Sequence, residues 1–476
     1  MAATDSEVQV LAAGTAAPQL DDAALVPVRR RHLAGVDGGR RLVRVARSVA
    51  EVESLRAAWT SMPSDSVQTD LNYFLWSLRE EPQVVRPHVL AVERDGRTEA
   101  IVAARLLNVR LPCKLGYRTI YAPVVRAVCV LHDGLLGHAD PVTAAAVLDE
   151  LLAGLKRREA DVILFRHLEV DSALHRAATA RGTFATRQHA VRTDLRWQIE
   201  LPSTQEEYLA SVSPATRKGA RRTASQLQRE FGERLSIRVF REPADRDVFF
   251  RDVEVVAAKT YQRRLGVGYL GDPQQRARLT MLMERGWFRA YILYLDGTPI
   301  AFELGELYRN RFRSLAGGYD SSYGRHRVGG HLLVETIGAL AADADVSIFD
   351  FGLGDAEYKS KLAQVSLREA DLLLYARRPR PIFVNFARTA LLEISHATKA
   401  GLRRVALLQR IKHRLRRRGA GAGSARLGTG DVAIHRGSGR DAASDGTASA
   451  RAGCGAPPAG DPSRAEVAAG VSARRR

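Results

Sequence analysis

Cysteine is scarce in this chain of 476 residues: Cys113, Cys129 and Cys454 are its three thiols. Their spacing matches no paired pattern, which argues against a disulfide framework or a zinc site and points to a reducing compartment. No stretch approaches the roughly 18 apolar residues that a membrane span requires. The opening MAATDSEVQV lacks the basic lead and apolar core of a secretory leader, so a cytoplasmic location is expected. No metal-ligand spacing stands out, and no metal is expected. Large apolar residues are sparse over residues 1–38 and again over 419–476. Such text cannot offset the entropy of ordering, and both ends are expected to be disordered.

Acidic residues are also missing from one place. Between Arg377 and Arg418 thirteen Lys or Arg face the single Glu393, so this segment carries +12 of the +19 net charge. The tail beyond it carries +3, which leaves +4 for the first 376 residues. The body of the chain is thus nearly balanced, and a partner selected by charge would meet the C-terminal segment.

What the body does contain is a repeat. HVLAVERDGRTEAIVAARLL and FRAYILYLDGTPIAFELGELY are each two apolar runs joined by Asp-Gly, at Asp95-Gly96 and Asp296-Gly297. Asp-Gly supplies the positive φ that tight hairpins demand. Each hairpin is followed by further strand text, a helix and a buried strand: a helix opened by Asp140-Pro141 before Val162 to Phe165, and RVGGHLLVETIGAL before Val346 to Phe351. The same order twice predicts two related α/β units, over 39–200 and 201–376.

Between them SVSPATRKGARRTASQLQREFG predicts a helix, with Ser213 as N-cap, Pro214 at the first position and Gly232 near the end. Arg217, Lys218, Arg221 and Arg222 sit on its first turns, 217/221 and 218/222 each on one face. They are either a solvated surface or a phosphate grip, and no nearby acid neutralises them in the sequence. Residues 377–418 predict a basic amphipathic helix, with Leu391, Ile394, Leu402, Val405, Leu408 and Leu415 at helical spacing and Lys399, Arg403, Arg410, Arg414 and Arg417 between them. It would either dock on its own body or lie on an anionic membrane through residues 399–418.

The densest chemistry is FDFGLGDAEYK, Phe349 to Lys359. An apolar strand delivers Asp350 to its end, where open α/β sheets place ligand crevices. Gly352 and Gly354 let the chain turn, and Asp355, Tyr358 and Lys359 open a helix. A carboxylate beside Tyr and Lys supplies the base and the donor that acyl or proton transfer needs; the plain alternative is a cap and an exposed ion pair. Upstream, a strand ending at Tyr319 leads through Asp320, Tyr323, Arg325 and Arg327 into a helix at Gly329-Gly330, a candidate anion site of free N–H groups and positive dipole. Glu303 and Glu306 fall on opposite faces of one strand, so at most one faces a cleft.

The order LDGTPIAFELGEL, SLAGGYDSSY, RVGGHLLVETI, IFDFGLGDAEYKSKL resembles the GNAT superfamily of acyltransferases, specifically the CelD-like acetyltransferases associated with cellulose and exopolysaccharide synthesis, and is similar to the Fem-type peptidyltransferases, which carry two such units. The resemblance implies two tandem GNAT-like units of mixed sheet flanked by helices, the first degenerate because ILFRHLEVDS lacks the Gly-Asp-x-x-Tyr-Lys constellation. It implies acetyl-CoA or another acyl-CoA as donor, its pyrophosphate cradled between Arg325 and His331 (Arg325, Arg327, Gly329, Gly330, His331) and its pantetheine along the strand ending at Tyr319. Arg327 stands where the family's loop has its first glycine. Tyr358 would be the general acid, Asp350 and Asp355 the preferred bases with Lys359 beside them, and N–H groups near Gly318 would steady the oxyanion. The acceptor would be a small molecule, a sugar hydroxyl or a peptide amine, in polysaccharide or envelope biosynthesis at the cytoplasmic face of the inner membrane. The alternatives are Fem-type transfer from aminoacyl-tRNA, gripped by Arg217 to Arg222, and a non-enzymatic protein that binds nucleic acid or a membrane surface.

Overall fold

A computed structural model describes residues 40–394 apart from 116, 117, 190, 192 and 355, together with the backbone of the short strands Gln9–Val10 and Arg31–Ala34. These two strands fall inside the stretch expected to be disordered and join the sheet, Gln9 pairing with Arg110 and Arg31 with Val43. The basic segment 399–418 and the tail lie outside the described residues; a helix over 379–394 is described.

Twelve strands carry the architecture. The first six are β1 (Arg40–Ala46), β2 (Val89–Arg94), β3 (Arg97–Arg110), β4 (Val124–Gly137), β5 (Val162–Glu169) and β6 (Thr193–Glu200). The second six are β7 (Leu235–Phe240), β8 (Phe288–Leu295), β9 (Thr298–Tyr308), β10 (Arg311–Tyr319), β11 (Ile348–Leu353) and β12 (Val365–Tyr375). They form one mixed sheet in the order β7-β8-β9-β10-β11-β6-β12-β5-β4-β3-β2-β1. That order reads the same from either end once each strand is matched with the one six places later. The expected duplication is therefore present, with one addition: the sixth strands are exchanged. β6 pairs antiparallel with β11 of the second half, and β12 pairs antiparallel with β5 of the first.

Both hairpins turn as expected, with positive φ at Asp95 and Gly96 (50° and 78°) and at Asp296 and Gly297 (50° and 74°). The matching helices are α1 (Leu71–Glu80) and α2 (Pro141–Lys156) in the first half. The second half has α3 (Gln205–Ser211), α4 (Pro214–Phe231), α5 (Arg246–Ala257), α6 (Pro273–Glu284), α7 (Val328–Ala341) and α8 (Glu357–Leu362). Asp140 caps α2 by accepting the N–H of Thr143, and Ser213 caps α4 by accepting that of Thr216.

Helices cover both faces of the sheet, which is why the central strands read as near-continuous apolar runs instead of alternating. In the first half α2 buries Val147 and Leu151 with Ile163 and Phe165, while α1 buries Phe74 and Leu78 with Ile101 and Leu164 on the opposite face. In the second half α7 packs Leu332 and Ile337 on Phe312 and Phe349, and α5 and α6 pack Phe249, Val253 and Leu282 on Phe288 and Ile292. Each such side chain contributes roughly 1.5–3 kcal/mol.

Candidate active site

The strand pairing itself creates the site. β10 runs parallel with β11 only from Arg311 opposite Ile348 to Arg313 opposite Asp350. Beyond that point β10 stays with β9 as far as Tyr319, while β11 stays with β6 as far as Leu353. The two strands splay apart, and the inner edge of Ser314–Tyr319 loses its sheet partner. The register between β9 and β10 also slips there, Leu304 opposing Ala316 and Gly305 opposing Ser314, so that Leu315 bulges.

Glu303 of β9 lies beside this split. It is 7% exposed and accepts a hydrogen bond from the Ser314 hydroxyl. Its carboxylate crosses the backbone of β10 at Gly317, where an added Cβ would lie 2.2 Å from Oε2, so glycine is what lets the side chain lie flat. Burial pushes the Glu303 carboxyl up, against the Ser314 hydroxyl and the charge of Lys359, to about 7. Tyr358, at the start of α8, is 50% exposed. Burial of its hydroxyl, with Glu303 and Tyr261 adding, pushes the phenol up to about 12. Tyr261 lies near both Tyr319 and Tyr358. Lys259 donates to Asp320 at 2.8 Å just past Tyr319, and the Gln262 amide donates to the Gly317 carbonyl at 3.1 Å.

Asp350 is not at a crevice. It is 0% exposed and receives the guanidinium of Arg196 through Nε at 2.8 Å and through Nη2, plus the Gly352 N–H at 2.8 Å. Burial pushes its carboxyl up, but Arg196 and the Gly352 N–H outweigh that and hold it below the usual range. Arg196 also reaches Glu369 of β12 at 3.1 Å and His132 of β4 at 2.8 Å. The strand exchange brings this arginine to Asp350, so an acid expected to face a ligand is part of a buried ion network. Lys359 is likewise turned inward: 7% exposed, its ammonium donates to the carbonyls of Phe351 at 2.9 Å and Leu353 at 2.8 Å. It tethers α8 to the end of β11 and so fixes Tyr358. Asp355 lies outside the described residues. Glu306 occupies the opposite face of β9 and pairs with Arg278 and Arg313.

At the start of α7, Arg327 has φ 56°, so a non-glycine residue adopts the left-handed conformation that glycine takes most readily. It offers no side-chain cap to the first turn, where Val328 is buried, Gly329 half-buried and Gly330 open to solvent. Gly329 is required by the ring of Tyr319, whose nearest atom would lie 2.6 Å from a Cβ. Arg325, Arg327 and Gly330 are exposed beside it. His331 points elsewhere: with Glu335 it lines a groove of about 720 Å³ between α4, α7 and β7, on the side of α7 away from the split.

Arg217, Lys218, Arg221 and Arg222 line a second groove of about 460 Å³ on α4. An acid does reach them: Glu206 of α3 pairs with Arg221 at 2.6 Å. Sequence reasoning missed Arg196, Ser314, Tyr261 and Lys259. The first half lacks this equipment. Seven residues past Asp296 stands Glu303, and seven past Asp95 stands the buried Val102. Beyond the β4–β5 pairing the rings of His132 and His167 meet edge to face, 5.7 Å apart.

Residues 214–360 match the model of the acetyltransferase (GNAT) domain family. The second half is therefore a GNAT-type acyltransferase fold, and it contains Glu303, Tyr358 and the start of α7. Among solved structures the chain is similar to FemX (12% identity, 70% of this chain, 98% of that one, TM-score 0.47). It is similar also to a tandem GNAT protein from the clavulanic acid biosynthesis pathway (12%, 71% and 99%, 0.43). A third is the C-terminal domain of a putative lysylphosphatidylglycerol synthetase from Agrobacterium fabrum (12%, 72% and 97%, 0.41). No curated protein matches the chain. Among the described residues no group of acids, histidines or cysteines is arranged to hold a metal, and no helix is long and apolar enough to cross a membrane.

Proposed function

We propose that this protein transfers an acyl group from acyl-CoA to an amine or a sugar hydroxyl, with Glu303 and not Asp350 as general base and Tyr358 as general acid. The observation that carries this reading is the position of a buried carboxyl with a raised proton affinity and a half-exposed phenol beside the split between β10 and β11. The freed edge of β10 takes the pantetheine arm as an added strand would, by backbone hydrogen bonds. The uncapped start of α7, with Arg325 and Arg327, takes the pyrophosphate.

The acceptor N–H or O–H attacks the thioester carbonyl while Glu303 removes its proton, directly or through one water. The tetrahedral oxyanion is steadied by N–H groups of the freed β10 edge near Gly318. The C–S bond then breaks, and Tyr358 gives its proton to the leaving sulfur. Acetyl is the simplest acyl group, and polysaccharide or envelope precursors at the inner membrane face are the acceptors the motif resemblance favours.

Calorimetric titration with acetyl-CoA tests the donor. Micromolar binding is expected, weakened about tenfold or more in Gly330→Pro, which deletes one N–H of the first turn, where no intrahelical hydrogen bond is lost. Absence of binding would favour the second reading, transfer from aminoacyl-tRNA, whose phosphates the groove of Arg217, Lys218, Arg221 and Arg222 suits.

A further inference from the structure

The helix over 379–394 buries Val384 in the first-half core but also presents large apolar side chains to water. On its inner side Asn385 is 1% exposed and donates to the carbonyls of Ala185 and Arg187 at 3.1 and 2.9 Å, and Arg388 is 4% exposed and donates to the Tyr375 hydroxyl at 2.8 Å. On its outer side Phe383 is 62%, Phe386 40% and Ile394 49% exposed at helical spacing.

Two other segments extend this surface. Phe184 is 72% exposed, and its ring lies 5.9 Å from that of Phe386. At the other end of the helix Arg380 donates to the carbonyl of Val124 at 3.0 Å. Val124 follows the hairpin of Cys113–Leu115 and Arg118–Tyr121, which exposes Leu115, Ile120 and Tyr121. Most exposed large apolar side chains of the first half thus fall on three segments joined by direct contacts. A surface of this kind marks an interface.

Its charge says which kind. Residues 113–124, 182–191 and 377–394 contain one acid, Glu393, against Lys114, Arg118, Arg187, Arg377, Arg378, Arg380 and Arg388. The chain then continues through 395–418 with nine Lys or Arg and no acid. Aromatic side chains among cations, followed by a polybasic stretch, match an anionic bilayer surface, where the rings enter the headgroup boundary and the cations meet lipid phosphates. β11 and β12 are both antiparallel to β6 and so run the same way. The β10–β11 split opens from Asp350 toward the C-terminal end of β11, and the helix follows the C-terminal end of β12.

We propose that Phe184, Phe383 and Phe386, with the hairpin residues Ile120 and Tyr121, form a docking face for an anionic membrane. Co-sedimentation of the full chain with phosphatidylcholine vesicles, with and without phosphatidylglycerol, tests it. Binding is expected only with phosphatidylglycerol, and the triple variant Phe184→Ser, Phe383→Ser, Phe386→Ser should bind at least about tenfold more weakly while its circular dichroism is unchanged. If the triple variant fails to fold, Phe383→Ser alone, at the most exposed site on the helix, should weaken binding about threefold. The proposal is overturned if the parent does not bind, if the substituted chain binds as tightly as the parent so that the basic stretch suffices, or if light scattering shows a parent dimer that the substitutions dissociate.

Discussion

Glu303 is buried where a carboxylate would ordinarily be avoided, and its neighbours decide how much of its charge survives. The Ser314 hydroxyl and Lys359 favour the ionised form, burial opposes it more strongly, and the result near 7 is suited to a base at neutral pH. The rate with saturating acyl-CoA should therefore rise with pH through a midpoint near 7 and hold until Tyr358 ionises well above it. Glu303→Gln should remove that rising limb and lower kcat by roughly 10²–10⁴; an unchanged profile would move the base elsewhere. The same proton links to stability. The unfolded carboxyl loses it near 4.5 while the folded one keeps it to about 7, so the unfolded chain binds fewer protons across that window. Stability should fall as pH rises through it, by roughly 3 kcal/mol at about 1.4 per pH unit, and Glu303→Gln should flatten the slope in chemical denaturation.

At the scale of elements, Arg196 holds β6 against β11 and β12 through Asp350 and Glu369. Removing one partner of a buried pair strands the other charge, so Arg196→Met should cost about 3–5 kcal/mol in chemical denaturation. Asp350→Asn should also act chiefly through stability, and its residual folded fraction should keep the pH profile of the parent. A variant with full stability and no activity would restore Asp350 as the base. The contrast shows what the sequence carried. Asp-Gly turns, the Asp140 and Ser213 caps and the apolar runs are local signals, and the hairpins, helices and duplication follow from them. Asp350 depends on which strand lies beside β11, a pairing set some 150 residues away in the chain, and nothing near Phe349–Lys359 announces Arg196. Glu303 was legible only as one of two acids on a strand; choosing between Glu303 and Glu306 needed the split between β10 and β11 and the arginines that neutralise Glu306.

The exchanged sixth strands make the two halves of the molecule parts of one fold. Each half offers β5 or β11 with an open edge that its own sixth strand does not fill, and each sixth strand pairs with the partner half's fifth. α1 adds a second tie, burying Tyr73 in the cluster beneath α5 and α6 while Phe74 joins the first-half core, and Tyr308 donates to Asp70 at 3.0 Å across the halves. Fragments 1–201 and 202–476 should thus each expose an unpaired edge of apolar strand and aggregate when made alone. Made together, they should recover a soluble complex, because every long-range pairing re-forms without the covalent link. Co-expression with an affinity tag on one fragment checks this. Co-purification of a complex that binds acetyl-CoA is the expected outcome, and a soluble, cooperatively unfolding second fragment by itself would show that the strand exchange contributes little to holding the second half together.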